Sequence, residues 1–128
     1  MITDSQNKIL LLHRNTPARS QWEIPGGKLE AGEKSETAAQ GEVKEELGIA
    51  IQIIKRLGQH QFSEDQNQMI YTWFQAKITS GSPKIMEKEK FDQLKYLALD
   101  KLTKMKPLLS ANTQNFLEEY LSDKIKLS

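Results

Sequence analysis

Residues 36–47, ETAAQGEVKEEL, read as one helix, and it carries two defects that only its surroundings can offset. Ser35 stands where an N-cap belongs and Gly48 where a C′ glycine ends a helix, so the spacing predicts a helix over 36–47. Glu42, Glu45 and Glu46 are spaced i, i+3 and i+4, which crowds three carboxylates onto one face. Each like-charge pair at that spacing costs roughly 0.2–0.5 kcal/mol. Gly41 costs about 1 kcal/mol more than Ala in a helix interior. Projected at 100° per residue, Val43 and Leu47 share one side, while Ala38 and Ala39 lie with the acids. Small residues beside acids let a neighbouring backbone approach closely, so these acids are expected to face a partner and not open water.

The segment before the helix supplies that backbone. WEIPGGKLEAGEK (22–34) combines a short strand with Pro25, Gly26, Gly27 and Gly32, so the chain must turn sharply there. KILLLHR (8–14) reads as a buried strand, and IAIQIIKRL (49–57) and NQMIYTWFQAKI (67–78) as two more, rich in β-branched and aromatic residues. In the last of these Ile70, Phe74, Ala76 and Ile78 fall on one face and Met69, Tyr71 and Trp73 on the other. Two apolar faces imply a sheet covered on both sides. SGSP (80–83) reads as a turn, LKYLAL (94–99) as a strand and 100–105 as a short helix. A helix is expected to open at Pro107 and run to about 122, with Phe116, Leu117, Tyr120 and Leu121 as its apolar stripe. The sum is an α/β or α+β domain, a sheet between helices, and 128 residues without an internal repeat or linker suit one domain over 1–128.

Several functions are disfavoured by what the chain lacks. It has no Cys, which removes disulfides, thiolate zinc sites and Cys nucleophiles. A net charge of +1 with no basic stripe argues against a polynucleotide partner. The longest apolar run, Ile9–Leu12, is too short to cross a bilayer, and MITDSQNK has no signal core, so the expectations are no membrane and a cytoplasmic location. His13 and His60 stand far apart and offer no ligand pair at metal-motif spacing.

GGKLEAGEKSETAAQGEVKEELGI resembles the signature of the Nudix hydrolases: Gly, five residues, Glu, seven residues, Arg-Glu, an aliphatic, any, Glu-Glu, any, Gly, aliphatic. Gly27, Glu33, Glu42, Val43, Glu45, Glu46, Gly48 and Ile49 match, and Gly41 stands at the Arg position. The resemblance implies a Nudix-type α/β/α sandwich with a mixed central sheet. It implies hydrolysis of a pyrophosphate linkage in a nucleoside diphosphate derivative, a triphosphate or nucleotide sugar, by water attacking phosphorus. The cofactor it implies is magnesium, with manganese as a substitute. The partner is then a small nucleotide, and the assembly a monomer or homodimer. Glu45 and Glu46 become the chief metal ligands with the carbonyl of Gly26, while Glu42 and Glu33 complete the site as ligands or as the base. Gly27 and Arg14 become substrate contacts; apart from the resemblance, Trp22, Phe62, Tyr71 and Trp73 are aromatics able to stack a nucleobase, with burial in the core as the other reading of each. The physics agrees: a hard cation held by carboxylates reverses the repulsion that weakens the helix.

Two departures bear on activity. In the family the signature Arg orients the acids, which Gly41 cannot do, and reduced turnover is expected. Many relatives carry a Glu just before the strand matching Lys95–Leu99, where this chain aligns Lys90, Phe91 and Asp92, with Glu89 one place early. The alternative reading is a Nudix-fold nucleotide-binding or regulatory module that has lost turnover. The family's first strand is also nearly absent, since only Met1–Thr3 precede the turn at DSQN; either that edge is short or the true N-terminus lies upstream.

Overall fold

A computed structural model describes residues 1–26, 35–64 and 67–128. Five strands and three α-helices follow in the order β1 (Ile9–Asn15), β2 (Ser20–Glu23), α1 (Ser35–Leu47), β3 (Ala50–Glu64), β4 (Asn67–Ser80), β5 (Phe91–Leu97), α2 (Leu99–Lys104) and α3 (Ala111–Leu121). β1 lies between β2 and β5, antiparallel to both, and β3 and β4 form an antiparallel ribbon.

Met1–Thr3 join the two sheets. Ile2 bridges Ala76 in parallel and Thr3 bridges Ile9 in antiparallel fashion. Thr3 N–H donates to the Ala76 carbonyl at 3.1 Å and Leu10 N–H to the Ile2 carbonyl at 3.0 Å. Three residues thus do the work of an interior strand, and the parallel bridge makes the combined sheet mixed.

Alternation along β1 splits the core. Leu10 and Leu12 pack with Val43, Leu47, Ile49, Ile51 and Ala76 on the α1 side. Ile9 and Leu11 pack with Trp73, Leu102, Phe116 and Leu117 on the α3 side. The expectation of a sheet covered on both faces holds, and Arg14, two residues beyond Leu12, inherits the α1 side.

β3 runs on to Glu64, seven residues past its expected end, and α1 includes Ser35, which the sequence places outside it as the N-cap; two further differences bear on the site. β5 begins at Phe91, three residues early, because Arg14 pairs with Phe91 and His13 with Gln93, leaving Asp92 as the extra residue of a bulge. The bulge turns Asp92 toward His13 Nδ1, 2.6 Å away, and Asn15 Nδ2, 2.9 Å away. The helix expected from Pro107 is two pieces, a 3-10 turn at Lys106–Leu108 and α3. Leu109 is extended at φ −93, ψ 150 and breaks the run.

Ser110 then caps α3: its Oγ accepts from Thr113 N–H at 3.2 Å and donates to Thr113 Oγ1 at 2.8 Å. Thr113 Oγ1 accepts from Ile24 N–H at 3.0 Å, and Ser110 N–H donates to the Trp22 carbonyl at 2.8 Å, which stitches the start of α3 to the end of β2. Ser110→Ala strands a buried donor, and we expect it to cost about 1–2 kcal/mol in chemical denaturation. A shift below a few tenths would mean the cap carries no stability.

Candidate active site

β1, β2, α1, the β4–β5 loop and the start of α3 enclose a cavity of about 650 Å³. Arg14, Arg19, Gln21, Glu23, Gly26, Glu42, Glu45, Glu46, Glu87 and Lys90 give it charged and polar walls, and Tyr71, Ser110 and Asn112 close one end. The three helix acids expected to face a partner all reach this space.

Each helix acid has a different environment. Glu45 is exposed, Glu42 half-buried, and Glu46 buried at 7% exposure beside Val43 and Leu47. Burial pushes the Glu46 carboxyl up to about 8, and the negative charges of Glu23, Glu42 and Glu87 push the same way. One donor opposes them: the Gly26 N–H bonds to the Glu46 carboxylate. Gly26 takes φ +118, which a side chain rarely tolerates, and a Cβ built there would meet nothing within 4 Å, so the backbone angle and not crowding calls for glycine. Pro25, Gly26, Ala38 and Ala39 line one small adjoining hollow.

The C-terminal end of α1 fixes the opposite rim. Gly48, at φ +68, donates its N–H to the Lys44 carbonyl at 2.9 Å. Lys84 N–H and Met86 N–H donate to the Leu47 and Glu46 carbonyls, each at 3.1 Å, so the β4–β5 loop docks on the helix end. That docking delivers Glu87 to the cavity, where it accepts from Lys90 Nζ at 3.0 Å.

Sequence reasoning missed Glu87 and Glu23. Glu87 escaped because β5 starts earlier than expected; Glu89 does not line the cavity, Lys90 does, and Asp92 is held by His13. A Glu–Lys pair at i, i+3 in the turn before β5 was the available signal. Glu23 follows from strand alternation: Gln21 and Glu23 face the cavity, while Trp22 packs on the other side against the α3 core, its ring centroid 4.9 Å from that of His13. Trp22 therefore does not reach the space where the acids gather. Arg14 does, clamped to Glu23 by Nε at 3.0 Å and Nη2 at 2.9 Å. Trp73 is core, and its Nε1 donates to Asn112 Oδ1 at 2.9 Å. Gly27, Glu33 and the Phe62 side chain lie outside the described residues.

Gly41 sits on the exposed side of α1, and a Cβ built there meets nothing within 4 Å. Among the described residues no three His, Asp or Glu side chains form a ready cation cage. The helix acids are thus not the closed nest their spacing suggested. The donor set suits a cation that takes one or two carboxylates and completes its shell with water and phosphate oxygens, which is how magnesium binds. No helix among the described residues is long and apolar enough to cross a membrane.

Comparison with known proteins agrees with this arrangement. The NUDIX domain family matches residues 1–120. An 8-oxo-(d)GTP phosphatase of Mycolicibacterium smegmatis is 30% identical over 93 residues, 73% of this chain and 28% of that protein. An ADP-ribose pyrophosphatase of Methanocaldococcus jannaschii is 41% identical over 58 residues, 44% of this chain and 34% of that protein. The chain thus spans about a third of the length of these curated relatives. The crystal structure of a MutT NUDIX hydrolase from Burkholderia pseudomallei superposes with a TM-score of 0.77 at 29% identity, covering 91% of this chain and 90% of that one.

Proposed function

Because the chain belongs to the NUDIX domain family, we propose that its cavity holds a divalent cation against the diphosphate of a nucleotide and that water attacks phosphorus there. The observation that carries this reading is the position of Glu42, Glu45 and Glu46 on one wall of the cavity, with Arg14, Arg19 and Lys90 also lining it. Such a site neutralises both the cation and the phosphates.

The residues divide the work as follows. Glu46 and Glu45, with the Gly26 backbone beside them, hold the cation, and magnesium suits this oxygen set. An ion held there by Glu45 and Glu46 would supply positive charge to offset the negative charge of the reacting phosphates. Glu42, half-buried on the same helix face, orients the attacking water, and Glu87 stands available from the loop. Asn112 has its Oδ1 committed to Trp73, which leaves its Nδ2 donor for a nucleobase carbonyl, with Tyr71 nearby on the cavity wall. The substrate is a nucleoside diphosphate derivative, a class that includes the substrates in the relatives' names. A second reading, a nucleotide-binding module of little turnover, is favoured by Gly41.

A panel of nucleoside triphosphates and nucleotide sugars with magnesium decides between them. Release of phosphate or pyrophosphate by the wild type but not by Glu46→Gln is expected. Equal inertness of both proteins toward every nucleotide, with binding retained, would leave the binding module as the correct reading. Gly41→Arg meets open space, so it should stabilise α1 by roughly 1 kcal/mol. It should also raise turnover by giving the acids an orienting cation; no gain in kcat would remove Gly41 as the cause of weak activity.

A further inference from the structure

Arg14 and Glu23 line the same cavity as the helix acids, yet they are spent on each other. Arg14 Nε donates to Glu23 Oε2 at 3.0 Å and Nη2 to Oε1 at 2.9 Å, so both carboxylate oxygens are taken by one planar fork. Gln21 Nε2 adds a third bond to Oε2 at 3.0 Å, and the Arg14 guanidinium lies 4.8 Å from the centroid of the Phe91 ring. The side chains keep 27% and 14% of their exposure, so ligands in the cavity can reach both. Glu23 lines the same cavity as Glu45 and Glu46, the carboxylates proposed above to hold the cation.

We propose that the Arg14–Glu23 pair is an exchange latch: a substrate diphosphate takes Arg14 away from Glu23, and the released carboxylate turns to the divalent cation. This rests on the reading of the cavity given above and adds to it a coupling between its two ligands. A diphosphate carries more charge and more acceptor oxygens than one carboxylate, and so can compete with Glu23 for the partly exposed guanidinium. The cation gains the freed carboxylate, and the phosphate gains the freed guanidinium. Each ligand therefore strengthens the other, and linkage makes the effect reciprocal. In the free protein the pair is internally compensated, so neither an isolated anion nor an isolated cation finds the full site.

Opposite substitutions in the pair test this with two binding readouts that need no turnover. Titrate methylenebisphosphonate in EDTA by calorimetry, and Mn2+ without phosphate by electron paramagnetic resonance, into wild type, Glu23→Gln and Arg14→Gln. Glu23→Gln should bind the bisphosphonate about fivefold tighter and Mn2+ about fivefold weaker, a coupling at the low end for linked sites. Arg14→Gln should do the reverse on both ligands. Parallel shifts, or none, overturn the latch; removal of a charge alone would also cross the shifts, so the charge-conserving Arg14→Lys decides, and an unchanged Mn2+ affinity in it overturns the latch. Should Arg14→Gln fail to fold, Arg14→Lys keeps the charge but loses the fork, and Mn2+ should still bind tighter than in wild type. Tighter Mn2+ binding by Arg14→Lys without hydrolysis of any nucleotide would reject the hydrolase reading and keep the latch; hydrolysis with parallel shifts would do the opposite.

Discussion

Glu46→Gln is expected to lower kcat/KM by about 100-fold or more, the scale of losing a ligand that orients a catalytic cation, while making the cation-free protein more stable at alkaline pH. The two effects share one cause. Glu46 is buried among Glu23, Glu42 and Glu87, and its carboxyl is raised from 4.5 to about 8. A raised folded-state value means the fold favours the protonated acid. The stability this protonation contributes is complete below about pH 4.5 and disappears as pH climbs through about 8. Glutamine mimics the protonated acid at every pH. Wild type and variant should therefore melt together near pH 4.5, and the variant should melt higher at pH 8–9, by an amount on the order of a few kcal/mol. A divalent cation should close the gap by stabilising the wild type alone. Thermal melts across pH, with and without magnesium, check this. A variant that is less stable than wild type at pH 8 without cation would mean the buried carboxylate is not strained at all.

Phe116→Ala should be the most destabilising single change on the α3 side. Phe116 is fully buried, meets Trp73 edge-on at 5.8 Å and stacks with Tyr120 at 6.4 Å. Truncating such a residue costs about 3–5 kcal/mol, a large part of the roughly 5–15 kcal/mol that holds a typical domain. The loss extends to the cavity, because Trp73 fixes the Asn112 side chain and α3 carries Ser110 and Asn112 to its wall. Urea denaturation should show a much lower midpoint with an unchanged slope, and the fraction that stays folded should bind nucleotide more weakly. A loss under 1 kcal/mol would show that the Phe116 site collapses around the missing ring and that α3 is held mainly by its cap.

The sequence made the helix of acids legible because three independent signals coincide there: cap residues, like charges at helical spacing, and small residues on the same face. The two-sided sheet was equally legible from the two apolar faces of the 67–78 run. Register was not. The bulge at Asp92 depends on which β5 residue pairs with Arg14, a long-range choice that periodicity does not encode, and the shift hid Glu87. The split at Leu109–Ser110 arises from bonds to Trp22 and Ile24, nearly ninety residues away, which override a local pattern that reads as one helix. Trp22 illustrates the other limit: an aromatic side chain can stack a nucleobase, but its neighbours Gln21 and Glu23 occupy the cavity face and leave it for the core. In each case residue identities were informative about chemistry and silent about which strand face met which partner.

The divalent-ion claim on which the account depends is tested most directly by counting bound Mn2+ in the presence of a nonhydrolysable nucleotide, using electron paramagnetic resonance on wild type and Glu46→Gln. The account predicts saturable binding in the wild type that is strongly weakened in the variant, with the nucleotide tightening the ion in the wild type. Equal Mn2+ affinity in the two proteins, or a nucleotide that leaves ion binding unchanged, would contradict it.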